Sequence, residues 1–170
     1  SPSQQVMLYI LHQRNNTDKY LADYPDIKIH IEGGQLNGYW DATRGMTNAD
    51  WKLLQQDLLK ASPFLNLKTK HLVFQMDTDL VLAAEPDEME GLMRIWEAIP
   101  TNEDRYMGVE DFEGRYNNIW NVYSGASMYM HATNRGTWYN ESTIPTVMNY
   151  NKMRQAGSIW GPSHEIGHNH

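Results

Sequence analysis

The chain has 170 residues, 41% of them apolar, a formal net charge of −7 and no cysteine. That length and apolar share predict one domain with a real core rather than disorder. An acidic balance without a basic stripe argues against nucleic acid as a partner, no apolar run approaches a transmembrane span, and disulfides and cysteine-based zinc sites are excluded.

The opening Ser1-Pro2-Ser3-Gln4-Gln5 is polar, lacks the pattern of an export signal, and reads as the cut edge of a longer chain. Val6 to Leu11 is a compact apolar run that predicts a buried strand. Ile27-Lys28-Ile29-His30-Ile31 alternates, which predicts a half-buried strand broken by Gly33-Gly34. Asn37-Gly38 is a turn signal, expected to join a hairpin whose return strand carries Tyr39 and Trp40.

Thr47 with Asp50 forms a capping-box pattern, and the helix from about Asn48 to Lys60 places Trp51, Leu54 and Leu58 on one face before Ser62-Pro63. His71 to Met76 reads as a buried strand. Pro86 suits the first turn of a second helix, which shows Met89, Leu92, Met93, Trp96 and Ile99 at helical spacing and is expected to close at Pro100.

Residues 101–118 read as loop with a short strand near Tyr106–Val109. Ile119–Val122 and Ser127–His131 are strand candidates, and 132–146 reads as irregular. Asn149–Gln155 predicts a short helix stopped by Gly157, and Pro162 is expected near the start of the last element. Interspersed strands and helices give an α+β or mixed α/β class, with a zincin-like active-site helix at the end. The expected organisation is a β-rich segment over 1–45 and a catalytic subdomain over 46–170, within what reads as a single domain.

That last element carries His164-Glu165-Ile166-Gly167-His168, an H-E-x-x-H. Residues i and i+4 share one helix face, so both imidazoles can reach one Zn²⁺, with Glu165 beside them as general base toward water. The competing explanation is a solvated helix with two histidines on one side. Gly167 argues against it, because glycine inside a helix costs about 1 kcal/mol relative to alanine and suggests close approach by a neighbour. A catalytic zinc needs a third protein ligand. His170 lies about 200° round a continuing helix from His168 and reaches the metal only if the helix ends there. The longer zincin signature, with a further glycine and histidine, would run past His170.

The stretch Gly157-Ser158-Ile159-Trp160-Gly161-Pro162-Ser163-His164-Glu165-Ile166-Gly167-His168-Asn169-His170 resembles the M60-like (enhancin-type) peptidases, with their Trp-Gly-rich approach to H-E-[ILM]-G-H-N-H. Ile27-Lys28-Ile29-His30-Ile31-Glu32-Gly33-Gly34 is similar to the V-x-V-H-I-E-G-G segment of that family. Asp50-Trp51 and Pro86-Asp87-Glu88 fall in matching order between them. The resemblance implies a zinc endopeptidase acting on mucin-type O-glycosylated proteins, at the cell surface or outside the cell. It implies His164 and His168 as zinc ligands, Glu165 as catalytic base, and a third ligand supplied by a glutamate downstream of the motif. On that pattern the chain is expected to be the N-terminal part of an M60-like domain, truncated at the active-site helix, binding zinc weakly and cleaving poorly by itself.

Other features have plainer readings beside the functional ones. Asp77-Thr78-Asp79 after a strand suits a divalent cation, but a capped turn is the simpler account. Trp40, Trp138 and Tyr139 sit in loop-like contexts and suit stacking on sugars or ordinary packing. His131 follows a strand and is a candidate cleft residue or a structural histidine. A non-catalytic glycan-binding fragment is the alternative to an enzyme, and a zincin with an unglycosylated peptide substrate is a third option.

Overall fold

A computed structural model describes residues 28–33, 37–56, 62–108, 119–134 and 136–168. The chain divides into two compact units, Ser1–Gln35 and Leu36–His170. In the first, residues 28–32 form no strand, and Ile29 and Ile31 are exposed. Alternation makes a strand only where a ladder partner takes up the backbone groups, and none does here among the described residues. The expected strand at Val6–Leu11 lies outside the described residues.

The second unit is built on a six-stranded mixed sheet, in the order β1-β2-β3-β4-β6-β5. The strands are β1 Gly38–Asp41, β2 Phe64–Lys68, β3 Leu72–Asp77, β4 Trp120–Ser124, β5 Met130–Thr133 and β6 Gly136–Tyr139. β1 pairs with β2 in parallel, so Asn37-Gly38 does not turn a hairpin. Instead the Asn37 side-chain amide donates to Asn66 Oδ1 at 2.7 Å, tying the start of β1 to β2. β2 and β3 form an antiparallel pair, β3, β4 and β6 run parallel, and β5 closes the edge antiparallel to β6. Leu65 and Leu67 alternate with half-buried Phe64, Asn66 and Lys68, which is the period-2 signal of a strand that the reading of 62–70 passed over.

One sheet face is covered by helices: α1 Asn48–Gln56, α2 Thr78–Ala83, α3 Met89–Met107, α4 Ile144–Val147, α5 Tyr150–Met153 and α6 Ala156–Gly167. The capping box forms, with Thr47 N donating to Asp50 Oδ2 at 2.7 Å. Trp51 is fully buried, and Leu58 lies outside the described residues. α3 begins at Met89, with Glu88 Oε1 accepting from Gly91 N at 2.9 Å. It runs through Pro100 to Met107. An interior proline removes one helical hydrogen bond, at a cost of about 3 kcal/mol, and the burial of Met89, Leu92, Met93, Trp96 and Ile99 offsets it. Residues 101–107 are therefore helix rather than loop, so Tyr106 and Met107 belong to no strand, and 132–146 contains the end of β5, all of β6 and most of α4.

Trp96 is the pivot of the core. Its ring meets Phe74 and Tyr139 edge-on at 5.1 and 5.6 Å, and its Nε1 donates to Val147 O at 2.9 Å. Glu97, one residue on, accepts from Thr69, the His71 backbone N and His71 Nδ1, fastening the β2–β3 turn to α3. No helix among the described residues is long and apolar enough to cross a membrane.

Candidate active site

α6 starts at Ala156, so Gly157 and Pro162 both lie inside it and neither stops nor opens an element as expected. The helix packs on α3 and on the sheet edge at β5 and β6. Its buried face carries Gly161, Pro162, Glu165 and Ile166. The close approach falls at Gly161, where a Cβ would lie 2.6 Å from Met130 Sδ. At Gly167 the nearest atom, Glu103 Oε1, would stand 3.7 Å away, an ordinary contact, so the crowding expected there is absent.

Trp160, His164 and His168 form a stripe at i, i+4 and i+8 on the exposed face. His164 Nε2 and His168 Nε2 face each other at 3.2 Å. Two nitrogens each about 2.0–2.1 Å from a tetrahedral zinc stand about 3.3–3.4 Å apart, so the pair fits one metal ion. The indole of Trp160 lies parallel to His164, with ring centroids 5.0 Å apart and planes 15° apart. Its spacing four residues before His164 was readable in the sequence as a same-face pair.

Glu165 follows His164 directly and is 8% exposed. Tyr139, on β6 beneath the helix, has its phenol pushed up by burial first, and then by the charges of Glu165 and Glu103. Three acidic or phenolic groups thus share the space between α6, α3 and β6. Glu103, on α3, is itself pushed up to about 7 by burial and, secondarily, by Asp104. A groove of about 610 Å³ beside it runs between α3 and α6, walled by Ile95, Ile99 and Ile159. Nothing local marks Glu103 in the sequence, since it meets α6 across about sixty residues of chain.

The described residues contain no group of three His, Cys, Asp or Glu able to hold a metal, and His170 lies outside them. His131 does not join the motif. It stacks on Trp138 at 5.6 Å, and Trp138 stacks on Tyr123 at 4.5 Å. In register, His131 pairs with Trp138 and Trp138 with Tyr123, a row of rings across three strands. Its side is opposite that of Met130, which packs on α6. Trp40 and Tyr139 are strand residues, 1% and 0% exposed, and offer no face to a sugar. Asp77 Oδ2 accepts from Ser124 Oγ at 2.7 Å, tying β3 to β4.

The family description Peptidase M60, enhancin and enhancin-like matches residues 44–170. No curated protein sequence matches the chain. Among solved structures, a metallopeptidase in complex with Tn antigen gives a TM-score of 0.70 at 23% identity, over 83% of this chain and 26% of that one. A metallopeptidase from Bacteroides thetaiotaomicron gives 0.67 at 21% identity, over 84% and 24%. The M60 catalytic domain of Clostridium perfringens ZmpC, in complex with the sialyl T antigen, gives 0.56 at 10% identity, over 81% and 29%. At these identities the likeness establishes the fold, and the chain spans about a quarter of the length of the first two. The family match, in contrast, covers well over half of this chain and includes all of α6: the protein belongs to the M60 peptidase family, enhancin and enhancin-like.

Proposed function

We propose that this chain carries the metal-binding helix of a zinc-dependent endopeptidase that acts outside the cell on O-glycosylated, mucin-like proteins. The observation that carries the reading is the pair of Nε2 atoms 3.2 Å apart on an exposed helix face, with Glu165 between the two histidines in sequence. His164 and His168 would hold the ion, with the third protein ligand coming from outside the described residues. Zinc there would supply Lewis acidity, making water more acidic and polarising the scissile carbonyl.

Glu165 would accept the proton of the attacking water and return it to the leaving amine, so no covalent enzyme intermediate is needed. Its burial in the α6 seam limits competing water around the carboxylate. β5, at the sheet edge beside α6, pairs on one side only among the described residues, and its other side can take an extended peptide as an added strand. The glycan complexes among the similar solved structures support a glycoprotein substrate.

The test compares mucin with unglycosylated casein, using the chain and its Glu165→Gln variant. The reading expects slow, chelator-sensitive cleavage of mucin, reduced at least about 100-fold by Glu165→Gln. Equal cleavage by the variant, or a preference for casein, would sink it.

A further inference from the structure

Trp160 is 69% exposed, so burial gives little reason for a tryptophan there. One face of its indole is nevertheless occupied, lying flat against the imidazole of His164. His164 has a single hydrogen-bond partner among the described residues, His168, reached through Nε2. A histidine that binds a metal is ordinarily held from its other ring nitrogen by a carboxylate or a carbonyl. His164 Nδ1 has no such partner among the described residues.

The terminal torsion of a histidine is broad and roughly two-fold, so an exposed, unheld ring readily turns its Nε2 away. We propose that Trp160 is the positioning residue for His164: the parallel indole fixes the plane of the imidazole, and the contact with His168 then selects the flip that puts Nε2 at the point both rings face. The inference rests on the metal-site reading above. An imidazole that gives its lone pair to a cation becomes electron-poor, and the electron-rich indole face suits that state. The arrangement is local to the helix, since residues four apart share a face, while Gly161 on the buried side lets α6 settle against Met130.

The experiment measures Zn²⁺ affinity of the full chain by competition with a chromophoric chelator, for the wild type, Trp160→Ala, Trp160→Phe and His164→Ala. Trp160→Ala is expected to weaken binding about tenfold, and Trp160→Phe to retain most of the affinity, because it keeps a stacking face. In the metal-free protein, the His164 ring-proton resonances should move downfield in Trp160→Ala as the indole ring current is lost. Wild-type affinity in Trp160→Ala, with binding lost in His164→Ala, overturns the inference and leaves the metal site standing. Equal losses in Trp160→Ala and Trp160→Phe also overturn it. Failure of the wild type to show any His164-dependent binding overturns both.

Discussion

At the scale of single residues, Glu103 offers a direct electrostatic test. Burial and Asp104 raise its carboxyl from about 4.5 to about 7. The folded protein therefore holds this proton more tightly than the unfolded chain does. Between those values the folded state binds more protons, so the contribution of Glu103 to stability falls as pH rises through the window. In Glu103→Gln that fall disappears, and the variant's stability relative to wild type should grow from pH about 4.5 to about 7 and then level off. Urea midpoints across that range check it, and a difference independent of pH would contradict it. The residues of the motif were legible because an H-E-x-x-H declares its geometry within one helical turn. Glu103 was not, because its character comes from burial against α6, and no local pattern encodes that contact.

At the scale of elements, two glycines decide how the site is seated. Gly136 has φ +142°, and a Cβ there would meet Asn121 O, a backbone atom of β4, at 2.3 Å. Gly136→Ala should therefore cost about 2–4 kcal/mol, combining backbone strain with displacement of β4 from β6, as measured by thermal or urea unfolding. At Gly161 the neighbour is the end of the flexible Met130 side chain. Gly161→Val should cost about 1–3 kcal/mol, and Met130→Ala in the same chain should recover part of it. Additive losses in the double variant would show that the two residues do not share the contact. The helix ends also show where local rules lost to packing. Pro100 and Pro162 read as boundaries, yet both are buried inside helices whose neighbouring turns carry core contacts. β2, β6 and α4 were missed for a related reason: short elements of four or five residues acquire their identity from partners in the sheet and core.

At the scale of the whole molecule, the core and the site share one set of contacts. Trp96 touches Phe74 on β3 and Tyr139 on β6, and Tyr139 lies beneath the helix that carries Glu165. Trp96→Ala should cost about 3–5 kcal/mol, read as a lowered unfolding midpoint in urea or on heating. The mixed class was legible from alternating strand and helix patterns, whereas the strand order was not, because the parallel pairing of β3 with β4 depends on the crossover through α2 and α3. The account turns on α6 being a metal-binding helix. Calorimetric titration of Zn²⁺ into the chain tests this most directly, with His164→Ala, His168→Ala and Glu165→Gln alongside. The account predicts one ion per chain in the wild type and in Glu165→Gln, and its loss in both histidine variants. Binding that survives both histidine variants, or that is absent from the wild type, would contradict it.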